Sequence, residues 1–189
     1  MPSRYVLTGA PGSGKTVLLR ALAAHGQTVV EEAATDVIIE LQADGVDEPW
    51  TRSDFCDRIV AVQRRRQTAP VPPGVAVQFF DRSPLCTLAL ARYLGRPVTR
   101  PLAEEVVRVA AERVFEPTVF LVRPLGALEA TAARRVSYAD ALAFEAVHEA
   151  VYQEHGYALV DVHGGPVAER REFVQWVVSR QLAERSGTA

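Results

Sequence analysis

The chain is predicted to fold as a three-layer α/β domain, with a five-stranded parallel sheet carrying helices on both faces. Three observations predict it. Strand and helix signals alternate from end to end, the pattern of βα units. A length of 189 residues without an internal repeat suits one domain with a sizeable core. The first strand-like run, Arg4 to Thr8, leads directly into Gly9-Ala10-Pro11-Gly12-Ser13-Gly14-Lys15-Thr16, a complete GxxxxGK[ST] phosphate-binding loop, and a helix follows it.

After this loop the helix Thr16 to His25 is closed by Gly26. A second strand, Gln27 to Glu31, precedes a helix carrying Val37, Ile38 and Leu41 that stops near Gly45. Thr51 and Asp54 read as a capping box for a helix whose apolar positions Phe55, Ile59 and Val62 share one face. The run Pro70-Val71-Pro72-Pro73-Gly74 is a loop. The third strand, Val75 to Phe80, delivers Asp81-Arg82-Ser83 at its carboxyl end. Helices are predicted at Pro84 to Leu94, stopped by Gly95, and at Leu102 to Phe115, before a fourth strand at Thr118 to Val122. An irregular, Ala- and Arg-rich connection covers 123–136. Ser137 and Asp140 form a second capping-box pattern for a helix ending at Gly156. The last strand, Tyr157 to Val162, passes through Gly164-Gly165-Pro166 into the final helix, with fraying expected beyond about Glu184.

Composition narrows the function. A net charge of −2 lacks the basic excess of a nucleic-acid backbone binder, so no nucleic-acid partner is expected. The longest uncharged stretch, Gln67 to Phe80, holds Pro70, Pro72 and Pro73 and is too short to span a bilayer. The N-terminal apolar run is broken at once by the glycine loop, unlike a secretory signal, so a cytoplasmic location without membrane attachment is expected. Cys56 and Cys86 have no metal-ligand spacing and read as buried free thiols, a disulfide or reactive thiol being the alternative.

Lys15 is the only lysine of the chain, every other Lys/Arg position being arginine. A compact ammonium on a thin stem enters a tight loop where a planar guanidinium fork does not. The glycines let backbone N–H groups face phosphate oxygens, and the helix N-terminus adds a favourable dipole. Lys15 is expected at the β- and γ-phosphates and the Thr16 hydroxyl in a Mg²⁺ shell, with Ser13 lining the loop. With no second lysine, no Asn-Lys-x-Asp guanine motif exists. That argues against a Ras-type GTPase, while GTP as a substrate stays open.

Ligands of such sheets sit outside the carboxyl ends of the strands. There the third strand presents Asp81, suited either to Mg²⁺ or to capping the next helix. Arg82 is suited to phosphate or to a structural ion pair. The second strand presents Glu31 and Glu32, of which at most one faces the crevice, as a base or as a first-turn acid. Asp36 is a weaker candidate nearby. Arg134 and Arg135, after the fourth strand, are suited to close over phosphates, simple solvation being the alternative. Arg64-Arg65-Arg66 ends a helix, where cations complement the negative end of the dipole or contact an acidic substrate. Trp50 and Tyr138 are candidate stacking aromatics, with core or rim packing the more common role. His25, His148, His155 and His163 have no metal spacing.

Over Tyr5 to Val178 the chain resembles the P-loop ATPase/kinase family grouped under the AAA name and related to the nicotinamide-riboside kinase part of NadR-like proteins. The resemblance rests on Leu7 to Thr16, Val29-Val30-Glu31-Glu32-Ala33-Ala34, Phe79-Phe80-Asp81-Arg82-Ser83, Arg135-Val136-Ser137 and Gly156-Tyr157. The layout is similar to that of nucleoside and thymidylate kinases. It implies a P-loop NTPase fold with strand order 2-3-1-4-5 over 1–185, a lid-like segment at 123–137, and a frayed end at 186–189. It further implies ATP as donor, Mg²⁺, and a small-molecule phosphate acceptor of the nucleoside or nucleotide kind. Glu32 matches the family's acidic residue after the second strand, Asp81-Arg82 its acidic-Arg pair, and Arg135 its lid arginine. Relatives commonly place Arg after Glu-Ala-Ala; here Thr35 stands there. The competing reading is a nucleotide-dependent regulatory ATPase with slow hydrolysis and no small acceptor. A crevice beside the loop, lined by Glu32 and segment 50–67, favours the kinase. The sequence sets neither the acceptor nor the oligomeric state.

Overall fold

Residue alternation along the central strands divides the core into two faces. In β1 (Ser3–Thr8), Tyr5 and Leu7 enter one cluster with Phe79, Phe120 and Val122, whereas Val6 joins Phe80 and Val119 in another. Both clusters are buried, so the strands are apolar on both sides, as parallel sheets covered by helices require. Each such side chain taken fully from water contributes roughly 1.5–3 kcal/mol.

A computed structural model describes residues 2–124 and 138–187. Helix α1 (Lys15–Ala24) and β2 (Thr28–Val30) follow the loop. Next come α2 (Ala33–Ala43), a 3₁₀ turn at Pro49–Thr51, α3 (Phe55–Thr68) and β3 (Val77–Asp81). The chain continues through α4 (Pro84–Tyr93), α5 (Arg100–Ala111), β4 (Thr118–Val122), α6 (Tyr138–Glu154), β5 (Ala158–Val162) and α7 (Val167–Ser186). The strands form one parallel sheet in the order β2-β3-β1-β4-β5. Leu18, Leu19 and Leu22 of α1 and Val174, Val177 and Val178 of α7 cover one face. Side chains of α4, α5 and α6 cover the other. A third cluster joins α2 to α3 through Val37, Leu41, Phe55 and Ile59.

The expected capping box before α3 does not form. Thr51 spends its hydroxyl on the Glu48 carbonyl at 2.7 Å, and the Asp54 carboxylate is held by Arg52 and Arg58 at 2.7–3.0 Å. Helix α5 stops at Ala111 rather than Phe115, because Arg113 takes φ 48° and the Val114 N–H turns back to Val109. Helix α7 runs on to Ser186, past the expected fraying point.

The strand order has one consequence for function. β3 lies beside β1 with Leu7 opposite Asp81, and the Arg82 N–H bonds the Leu7 carbonyl at 3.1 Å. The end of β3 therefore emerges beside the glycine loop.

Candidate functional site

The loop from Gly9 to Gly14 has a backbone that only glycine permits at its ends. Gly9 takes φ 130°, and a β-carbon there would lie 2.4 Å from the Val122 carbonyl oxygen. Gly14 takes φ 87° and opens α1, whose first turn has neither a side-chain cap nor an acidic residue. The first N–H groups of α1 thus lack the usual intrachain acceptors, the arrangement that suits an anion.

Lys15 folds back over this loop. Its Nζ donates to the Gly9 carbonyl at 2.9 Å, the Ala10 carbonyl at 2.7 Å and Ser13 Oγ at 3.3 Å. Burial, reinforced by Arg82, lowers its pKa to about 7. Close by, Thr16 Oγ1 donates to Asp81 Oδ2 at 3.3 Å, while the other carboxylate oxygen of Asp81 is buried without a hydrogen-bond partner. Burial raises the Asp81 pKa. A buried carboxylate oxygen without a donor is costly unless a cation occupies its lone pairs. Asp81 is not the cap of α4, since Ser83 Oγ accepts from the Leu85 N–H in that role.

Glu32, preceding α2, faces this group. Its Oε1 accepts from Arg82 Nε at 2.5 Å and its Oε2 from Thr35 Oγ1 at 3.2 Å. Burial alone would raise the Glu32 pKa, but the charges of Arg82 and Lys15 and the bonds from Arg82 and Thr35 bring it below its ordinary value. Thr35 thus helps to orient this carboxylate. Arg82 takes φ 73° and directs Nη1 to His148 Nε2 at 3.2 Å. His148 is buried, and burial together with Arg82 lowers its pKa to about 3. It is consequently neutral, accepting from Arg82 at Nε2 and donating from Nδ1 to the Phe144 carbonyl at 2.9 Å.

Beside the loop opens a pocket of about 260 Å³, with Pro11, Glu32 and Arg82 among the residues that line it. Its walls are mostly apolar: Ile38, Trp50, Phe55, Ile59, Leu90 and Phe144. Gln63 and Thr87 add polar groups, with Thr87 Oγ1 donating to Gln63 Oε1 at 3.1 Å. The expected crevice, lined by Glu32 and segment 50–67, is present.

The structure thus gathers Lys15, Thr16, Glu32, Asp81 and Arg82 into one charged cluster, of which Glu32 and Arg82 line the pocket. It does not bring Glu31 or Asp36 there. Both are exposed, and Arg66 bonds the Glu31 carbonyl and the Asp36 carboxylate. Arg64 lies 3.6 Å from Glu105, so two of the three arginines, Arg64 and Arg66, make intrachain contacts. Trp50 lines the pocket; the side chain of Tyr138, with Arg134 and Arg135, lies outside the described residues. Cys56 and Cys86 are free and buried. Among the described residues no His, Cys, Asp and Glu cluster has the makings of a metal centre, and no helix is long and apolar enough to cross a membrane. Sequence reasoning missed Gln63, Thr87 and His148, which no motif marks; only the meeting of α3, α4 and α6 brings them to the site.

Known structures share this fold. NadR protein in complex with NR superimposes with a TM-score of 0.66 at 18% identity, covering 95% of this chain and 51% of that one. The chain thus spans about half the length of NadR. Deoxyadenosine kinase from M. mycoides, bound to dCMP and dCDP, gives 0.60 at 13% identity, with 94% and 99% of the two chains covered. Thymidylate kinase from Ehrlichia chaffeensis gives 0.59 at 14% identity, with 94% and 98% covered. At such identities the likeness establishes the fold, a P-loop kinase-like α/β architecture. A comparison with curated proteins returns no match. The profile of an AAA-domain family matches residues 4–170, and the chain belongs to that family.

Proposed function

We propose that the protein is a Mg²⁺-dependent kinase that transfers the γ-phosphoryl group of ATP to a hydroxyl of a small acceptor, a nucleoside or nucleotide. The observation that carries this reading is the open pocket beside the glycine loop, with Glu32 and Arg82 on its lining. An open crevice favours a kinase, and a filled one would favour a regulatory ATPase.

The donor's triphosphate lies in the 9–16 loop. Lys15 exchanges the neutral carbonyl oxygens of Gly9 and Ala10 for charged phosphate oxygens, which form stronger bonds with an ammonium. The Thr16 hydroxyl and the unsatisfied oxygen of Asp81 fit a hard cation with oxygen ligands. Mg²⁺, when bound, offsets charge on the β- and γ-phosphates. Glu32 stays ionised and is a weak base; its task is to orient the acceptor hydroxyl and take its proton late. Phosphoryl transfer through a loose transition state needs little more. Arg82, held by Glu32 and His148, places positive charge beside the transferring group. Arg134 and Arg135 belong to the same proposal as lid residues closing on the donor. ATP is the expected donor, with GTP open. The unpaired cysteines accord with a cytoplasmic location, and neither nucleic acid nor membrane belongs to the reading.

The test is a panel of nucleosides, nucleotides and related hydroxyl compounds incubated with γ-labelled ATP and Mg²⁺. Label transferred to one acceptor class supports the kinase. Label found only in free phosphate across the panel rejects it in favour of the ATPase.

A further inference from the structure

Arg170, in the first turn of α7, is placed against three separate penalties. It is 4% exposed. Among the described residues no carboxylate pairs with it, and its Nε is buried without a hydrogen-bond partner. It also sits at the positive end of a helix, where a cation is disfavoured. A buried, unpaired charge is normally eliminated by selection for stability unless it has another task. Burial lowers its pKa, yet a guanidinium keeps its proton at neutral pH.

The bond it does make identifies the task. Arg170 Nη2 donates at 3.0 Å to the backbone carbonyl of Ser13, across 157 residues of sequence. Ser13 is the residue whose Oγ accepts from Lys15 Nζ at 3.3 Å. The guanidinium thus grips the glycine loop from α7, the helix that packs with α1 over one face of the sheet.

We propose that Arg170 is a positioning residue for the glycine loop: it fixes the Ser13 peptide and adds a second buried positive charge whose counter-ion is a bound polyphosphate. The inference rests on reading residues 9–16 as a polyphosphate site. It does not depend on an acceptor. The missing carboxylate partner is supplied by the ligand, so charge that costs stability in the free protein is returned as affinity.

The test compares Arg170→Lys, which keeps the charge and a donor, with Arg170→Gln, which keeps a donor alone. Binding of inorganic tripolyphosphate to the full chain is measured by calorimetry, and thermal midpoints are taken without ligand. Arg170→Gln is expected to bind tripolyphosphate on the order of tenfold more weakly than wild type, and Arg170→Lys within about threefold of it. Arg170→Gln is expected to melt no lower than Arg170→Lys. A merely structural arginine would instead make affinity follow melting temperature. Wild-type affinity in Arg170→Gln, or equal losses in both variants, overturns the proposal. A wild-type chain that binds no tripolyphosphate overturns the loop reading itself.

Discussion

Thr16 on α1 and Asp81 at the end of β3 meet hydroxyl to carboxylate at 3.3 Å, leaving one Asp81 oxygen buried and unsatisfied. Two adjacent strands, β1 and β3, produce this meeting by delivering their carboxyl ends side by side. The pair has opposite consequences for stability and for ligand binding. Burial raises the Asp81 pKa, so the unfolded chain ionises this group more readily than the folded one. Its contribution to stability therefore falls as pH rises through the range between the ordinary and the raised value. Asp81→Asn is expected to melt at the same temperature or higher at pH 7, while Mg²⁺ loses most of its effect on ATP affinity. Melting curves and ATP titrations with and without Mg²⁺ check both halves; an undiminished Mg²⁺ effect rejects the assignment.

Lys15 yields a proton-linkage prediction. Its pKa is lowered to about 7 in the folded protein by burial and by Arg82. Between that value and the ordinary one the unfolded chain holds more protons, so the free protein gains stability as pH rises across this interval. A bound polyphosphate favours the ammonium and raises the pKa again. At pH 8, ATP binding is expected to take up as much as about one proton. Calorimetry in buffers of different ionisation enthalpy measures this uptake. Lys15→Met should abolish it, and no buffer dependence in the wild type would exclude the mechanism.

Glu32→Gln separates binding from turnover. The variant keeps a polar partner for Arg82 and Thr35 but loses the charge that orients the acceptor. Turnover is expected to fall by roughly 10²-fold, the lower range for a positioned acid–base group, with ATP affinity within about threefold. Full activity would remove Glu32 from the reaction.

Filling the pocket tests where the acceptor binds. Ile38→Trp adds bulk to the wall facing the apolar cavity. The KM for the acceptor is expected to rise at least on the order of tenfold, by displacement of buried apolar contact, with the KM for ATP unchanged. Equal changes in both would place the acceptor elsewhere.

Gly9→Ala probes the loop's backbone. Its β-carbon would collide with the Val122 carbonyl at a φ of 130°, whereas a β-carbon added to Gly26, at φ 81°, would meet nothing within 4 Å. Gly9→Ala should destabilise by about 1–3 kcal/mol more than Gly26→Ala. Chemical denaturation of the two variants gives the comparison, and similar losses would mean that the loop relaxes freely.

The sheet was legible because β1, β3 and β4 are apolar on both faces and each ends at a distinct signal: glycine loop, Asp-Arg pair, arginine. The glycine loop was legible because its residues are adjacent in sequence. The choice of Glu32 over Glu31 came from family resemblance, and its geometry depends on Thr35 and Arg82, the second of them from a distant segment. The capping box at Thr51 misled because Glu48 and two arginines offered those side chains nearer partners. His148 and Arg170 were hidden for a plainer reason. Each lies within a helix with no motif around it, and its role arises only from a partner 66 or 157 residues away.

The most direct measurement is a crystal structure of the full chain with Mg²⁺ and a non-hydrolysable ATP analogue. The triphosphate should lie along residues 9–16 with Lys15 Nζ on its terminal oxygens and the metal between Thr16 and Asp81. A triphosphate bound away from that turn, or a metal with neither residue beside it, would contradict the account.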